Sequence, residues 1–251
     1  MYSIEELDEL EQEEHTLTEE AIAIMLLRLS EVHKELEKEL RNFYQKYGKD
    51  GVVTYQQARK WVDSSDHRKR ILVLYAIMGN QFDKALVDIE KEFDSMVDEI
   101  IKTECGYFDK DVKDKVTFNW GTDDLDYTKR LKDNVDLWKA QLQVDWKRSL
   151  LQRKNIDKVL EELDKRFVTI NNILEKLTLT ESTAIGSLTR QQIMKALGYS
   201  KYRYYSRPDE RRCESCGALH NLVFPITAYE VGVTASPIHP RCRCWEVPIK
   251  D

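Results

Sequence analysis

Between residues 131 and 150 the apolar positions fall at Leu131, Val135, Trp138, Leu142, Trp146 and Leu150. Steps of three and four place them on one stripe of an α-helix, with both tryptophans facing the core. The same period runs through most of the first 200 residues. Thr16-Leu-Thr-Glu19 has the form of a capping box and predicts a helix that ends at Gly48. Thr54 to Gln57 predicts a short helix ending near Trp61. A third helix is expected from about Asp66 through Ile101, with Gly79 as a candidate break. Residues 106–123 lose the period and read as a loop with a short extended piece. The helical pattern returns from about Asp124 to Leu177, and a second capping box, Thr178-Leu-Thr-Glu181, introduces a helix that stops at Gly198.

Beyond Gly198 the period changes. "KYRYYS", "NLVFPI" and "CWEVPI" suit three short strands separated by Pro and Gly turns. All five prolines and four of the five cysteines lie in the last 44 residues. Proline removes a backbone donor and is poorly tolerated inside helices, so this distribution marks a boundary. The expected fold is mainly α: an elongated helical body followed by a small, β-rich, zinc-stapled C-terminal unit. The expected divisions are an N-terminal helical region over 1–123, central long helices over 124–200 and a Cys/His-rich unit over 201–251.

A net charge of -6, with a third of the chain charged, describes a heavily solvated protein without a global pull toward nucleic acid. The first 27 residues hold nine acidic side chains and no Lys or Arg, unlike a secretory signal, and the apolar runs at 21–27 and 71–78 are too short to span a bilayer. The expected setting is a cytoplasm or a particle assembled there, with no membrane partner. In a reducing compartment, clustered cysteines favour metal over disulfides.

The chemistry concentrates in two pairs. Cys213-x2-Cys216 and His239-x2-Cys242 are separated by 22 residues, and each has the spacing that lets both side chains of a tight turn face one ion. Three thiolates and an imidazole suit tetrahedral Zn²⁺ and leave no position open for substrate, so a zinc site here is structural. Cys244 and His220 are alternatives to members of that quartet: Cys242 and Cys244 share one face of a strand and can both ligate, leaving His239 to pack or cap. Reduced thiols or a Cys–Cys bridge are the metal-free readings. Cys105 stands alone at a helix end and reads as an idle small side chain.

Arg203, Arg207, Arg211 and Arg212, interleaved with tyrosines, are candidate nucleic-acid contacts. The plainer expectation is a strand whose tyrosines pack inward while the arginines are solvated or pair with Asp209 and Glu210. Enzymatic signatures are missing: there is no Gly-rich phosphate loop, His-Glu-x-x-His or Gly-x-Ser-x-Gly. His220 and Asn221 beside a Cys-x2-Cys invite comparison with HNH nucleases, but only seven residues follow Cys244, too few for the helix such a site needs. The expectation is a protein that is not an enzyme.

"YYSRPDERRCESCGALHNLVF", a spacer and "SPIHPRCRCWEVP" resemble the C-terminal signature of the phage Mu F-like minor head proteins, also called phage head morphogenesis proteins. Asp209, Arg211, Cys213 and Cys216 match its first half; Pro237, His239, Pro240, Cys242, Arg243 and Cys244 match its second. Leu179-Thr180-Glu181 stands where many members carry Arg-Thr-Glu, and Tyr205 where a tryptophan is common. The resemblance covers residues 172–248 and reaches back to about 120. It implies a virion component made in the host cytoplasm and lying inside the head, in contact with the portal and with capsid or scaffold proteins. It also implies a part in head assembly and in holding or delivering DNA.

Overall fold

The computed structural model describes residues 3–53, 65–121 and 125–250, with backbone alone over 65–73. The short helix expected over 54–61 lies outside the described residues. Four long helices dominate: α1 (Ile4–Tyr47), α2 (Ser65–Tyr107), α3 (Tyr127–Leu151) and α4 (Ile156–Ala196). After them come β1 (Lys201–Ser206), a one-and-a-half-turn helix α5 (Glu214–Leu219), β2 (Val223–Pro225) and β3 (Cys244–Ile249). The fold is mainly α with a small β unit, as the periodicities require. Among the described residues no helix is long and apolar enough to cross a membrane.

The helix ends depart from the expected capping boxes. α1 opens twelve residues ahead of Thr16, at a reciprocal box in which the Ser3 N–H donates to Glu6 Oε2 (2.7 Å) and the Glu6 N–H to Ser3 Oγ (3.1 Å). Thr16 sits inside the helix and donates back to the Gln12 carbonyl. Thr180 likewise donates to the Lys176 carbonyl, and α4 passes through Thr178 to Glu181 without a break. A hydroxyl four residues past a carbonyl satisfies itself inside a helix, so the Thr-x-x-Glu pattern does not by itself mark a start. Gly79 does not interrupt α2.

The break between α3 and α4 is the reverse case. Arg153 adopts φ 56°, the Lys154 N–H returns to the Ser149 carbonyl, and the Asn155 Oδ1 accepts from the Lys158 N–H (3.0 Å). This is a left-handed helix end followed by an N-cap, built without glycine or proline. The end of α4 has the expected residue: Gly198 has φ 75° and the Tyr199 N–H bonds the Met194 carbonyl.

Contacts divide the chain into two units that interleave along it. One comprises Met1–Ala23, Lys91–Arg130 and Glu175–Asp251; the other comprises Ile24–Glu90 and Leu131–Leu174. In the second, stretches of all four long helices surround a core that includes Leu29, Leu36, Phe82, Trp138, Trp146 and Phe167. Phe43 and Tyr75 each meet Trp146 edge on, at 5.1 and 5.6 Å between ring centroids. Trp138 and Trp146 are core side chains, as their spacing predicts.

The first unit carries the sheet, antiparallel in the order β2-β1-β3. Lys201 pairs with Ile249 and Ser206 with Cys244 along β1 and β3, and Lys201 with Pro225 along β1 and β2. β1 alternates: Tyr202, Tyr204 and Ser206 are buried on one face. The sheet does not supply its own core. Trp245 and Val247 are buried with Leu7 and Leu10 of α1, Phe108 and Val112 after α2, and Ile193 of α4. Tyr202, Tyr229 and Val231 are buried with Ala184 and Met194 of α4.

Candidate metal centre

The strand register places the site. Ser206 opposite Cys244 puts the start of β3 beside the end of β1, and the two loops that carry the remaining Cys and His residues leave from there. Cys213 caps α5: its Sγ accepts from the Cys216 N–H at 3.3 Å, and one turn later the Cys216 side chain is buried beside it. The second loop brings in His239 and Cys242, and Thr183 of α4 holds that loop by donating to the Cys242 carbonyl (3.1 Å).

Five candidate ligands gather as two overlapping triads. Cys213, Cys216 and His239 present donor atoms within 4.8 Å of one another, and so do Cys216, Cys242 and Cys244. Cys216 belongs to both. His220 belongs to neither: its Nδ1 faces the Ser206 backbone N–H (3.2 Å) and Oγ (3.1 Å), and its ring packs on Tyr205. The Cys216 and Cys242 sulfurs lie 3.7 Å apart, and all five cysteines of the chain are unbridged. A disulfide requires about 2.05 Å. Four sulfurs on a tetrahedron of 2.3 Å bonds stand about 3.8 Å apart, so this separation suits thiolates around one ion.

The protonation of the cluster points the same way. Hydrogen bonds from Cys216 and then Cys244 hold the Cys242 thiol down to about 2, while donating to Cys242 pushes Cys216 up to about 12. Cys244 is raised, first through its bond with Cys216 and then through Cys242. One buried thiolate is thus shared among three sulfurs. Cys213 is lowered: burial works against its thiolate, and the Cys216 N–H, the Cys216 side chain and His239 together outweigh it. His239 is raised against its own burial by the Pro240 carbonyl and by Cys242 and Cys213. Its Nδ1 lies 2.9 Å from that carbonyl, which leaves Nε2 with the lone pair in the neutral ring.

Four further residues complete the site: Tyr204 and Glu246, to which the sequence reading gives no role there, and Asp209 and Arg243, which it places in the family signature. The Tyr204 hydroxyl is 3.4 Å from Cys216 Sγ and 3.8 Å from Cys242 Sγ, a donor aimed at sulfur from the strand between the two loops. Arg243 donates through both terminal nitrogens to Asp209 (2.7 and 2.8 Å), which lashes the loop before Cys213 to the strand that carries Cys244. That pair draws Asp209 below the usual carboxylate range. Glu246 is fully buried and accepts from the Ser236 N–H (2.6 Å), the Tyr229 hydroxyl (2.9 Å) and Ser187 Oγ (3.1 Å), fixing where the second loop begins. The alternation in "KYRYYS" exposes Tyr204 as inward-facing, but its register with the cysteines is a tertiary fact.

The four candidate arginines do not form one patch. Arg207 pairs with Asp8 (2.7 Å) and lies over the Trp245 ring, while Arg211 and Arg212 are exposed. Arg207 and Arg211, with Arg241 and Arg243, line a cavity of about 690 Å³ beside Cys242. Arg203 and Arg212 do not line it. Glu181, expected at a helix start, is buried within α4, where it accepts from Trp120 Nε1 (2.8 Å) and Arg130 (2.9 Å).

A sheet seated on long helices, with paired Cys/His loops closing against it, defines a helical protein whose C-terminal end is built as a compact ligand cluster. The family model for Phage Mu protein F like protein matches residues 110–247, and the chain belongs to that family. Among curated proteins and among solved structures nothing matches the chain.

Proposed function

We propose that the protein is a minor head protein of a tailed phage, acting in head morphogenesis at the portal, with the four ligands of a structural zinc ion drawn from Cys213, Cys216, His239, Cys242 and Cys244. The family match carries this reading, because residues 110–247 include both halves of the Cys/His site. Zinc would supply folding free energy to the loops that hold it. The chain's own residues do the positioning: Tyr204 donates to sulfur, Asp209 and Arg243 join the two loops, and Thr183 ties them to α4. With four of those Cys and His donors filling its shell, such an ion has no place for substrate, in keeping with a structural part rather than an enzyme. The loops so ordered form the surface offered to the portal or the capsid interior. Contact with packaged DNA, in retention or ejection, would fall on the exposed Arg211 and Arg212.

Because the sheet shares its core with α1, α2 and α4, metal loss should disorder the loops together with α5 and leave the long helices and the strands folded. Native protein should carry about one zinc per chain. In Cys216→Ser the metal should be lost, amide exchange should rise over residues 207–220 and 236–243, and co-purification with portal should fail. Metal-free native protein with the same exchange protection in those loops would overturn the zinc reading. Absence of the chain from purified heads would overturn the assignment to the virion.

A further inference from the structure

Away from the sulfurs, the same unit buries a cluster in which carboxyl groups outnumber the one guanidinium. Arg190 of α4 is 1% exposed and donates to Glu104 of α2 and to Glu11 of α1 (2.7 Å to Glu11). Glu14, one turn past Glu11, is 7% exposed and shares a hydrogen bond with Glu104, but its Oε1 has no partner. Three carboxyl groups therefore face one guanidinium, with a proton held between Glu14 and Glu104. Glu246 adds a fourth carboxylate nearby, already bound by three donors.

Two observations give this cluster an entrance and a use. Glu11 and Glu14 are among the residues that line the 690 Å³ cavity, and the unpartnered Glu14 Oε1 is itself buried. The helix opposite leaves room for this side chain: a Cβ at Gly186 would stand 2.8 Å from Glu14 Oε2, so any larger residue at that point of α4 would make the Glu14 carboxyl shift. A mid-helix glycine is destabilising by roughly 0.5–1 kcal/mol relative to alanine, and here it admits a carboxylate. Three of the cavity's four arginines are engaged outside the cluster, Arg207 with Asp8, Arg241 with Glu175 and Arg243 with Asp209, and the fourth, Arg211, is exposed. His15 at the same wall pairs with Glu19.

We propose that Glu11, Glu14 and Glu104 form a site for a divalent cation, entered from the cavity and distinct from the Cys/His centre. Their oxygens lie within 4.8 Å of one another, a spread that metal–oxygen bonds of 2.3–2.6 Å can bridge. All-carboxylate donors select hard cations such as Ca²⁺, Mg²⁺ or Mn²⁺ over zinc. Binding would displace the proton held between Glu14 and Glu104, and the two positive charges added to Arg190 would then balance the three carboxylates so formed. The cavity leaves room for water to complete the coordination, and the ion would pin the start of α1 to α2 and α4 within this unit.

Mn²⁺ is a direct probe, because its electron paramagnetic resonance signal reports free ion. Titrated into the full-length protein, with circular dichroism as the check on folding, it should bind at one equivalent per chain and be displaced by Ca²⁺. Glu14→Gln should weaken binding by at least about tenfold, as should Glu11→Gln, which stands in if the first variant does not fold. Glu19→Gln, on the same cavity wall but outside the cluster, should bind as the wild type does. The inference is overturned if wild-type protein takes up no Mn²⁺, or if the folded Glu14 and Glu11 variants bind it unchanged. Displacement of Mn²⁺ by spermidine but not by Ca²⁺ would also overturn it, since the site would then belong to an organic cation.

Discussion

Tyr204 shows how much of the site rests on a single hydroxyl. It is buried on the inward face of β1, and burial together with the neighbouring Cys242 thiolate pushes its phenol up, so it stays a donor at any pH the protein meets. A donor held against sulfur orients the ligands and steadies their charge. Tyr204→Phe keeps the ring and removes only the proton. The variant should remain folded, lose about 1 kcal/mol of stability, and bind zinc about tenfold more weakly in competition with a chromogenic chelator. Unchanged zinc affinity would mean that the hydroxyl only fills space between the loops. Cys244 is placed at this scale too: it stands in the buried sulfur triad, whereas His220 is turned toward Ser206.

At the scale of elements, helix ends separate what pattern reveals from what it hides. Gly198 announces the end of α4, and its positive φ is the reason a glycine stands there. Arg153 gives no such signal, yet it has the same left-handed conformation between α3 and α4. An L-residue in that region is strained by about 1–2 kcal/mol, which glycine avoids while losing more backbone freedom on folding. Arg153→Gly should therefore stabilise the protein by about 0.5–1 kcal/mol, read as a higher urea midpoint with an unchanged slope. A lower midpoint would show that the arginine side chain contributes more than its backbone costs. The two Thr-x-x-Glu segments teach the converse. Glu181 stands where a cap is expected, but its carboxylate is bound to Trp120 and Arg130 across the unit, a use no local pattern encodes.

For the molecule as a whole, the cluster around Arg190 sets a pH dependence. Burial, ahead of the opposing pull of Arg190, raises Glu11 from 4.5 to about 7, and it raises Glu14 and Glu104 as well. A carboxyl with a raised folded pKa holds its proton more firmly when folded, so its contribution to stability falls as pH rises from about 4.5 to about 7. With divalent cations chelated, the urea midpoint should fall over that interval. Glu11→Gln should flatten the fall by an amount on the order of 2 kcal/mol, obtained as the difference between the two proteins' profiles so that other titrating groups cancel. Identical profiles would show that Glu11 titrates as it does in the unfolded chain.

The sequence by itself determined the class of fold, the three short strands and the gathering of cysteine and histidine at the C-terminal end. These follow from local rules: the 3.6- and 2-residue periods, the exclusion of proline from helices, and ligand spacing within a turn. It also carried the family, because a signature such as Asp209-x-Arg211-x-Cys213 and His239-Pro240-x-Cys242 is written in consecutive residues. Only the tertiary structure decided that Cys216 joins two triads, that Arg243 reaches Asp209, that the sheet borrows its core from three long helices, and that Glu11, Glu14 and Glu104 converge on Arg190. Each of those joins residues far apart in the chain, and their energies depend on burial and distance that no stretch of sequence specifies alone.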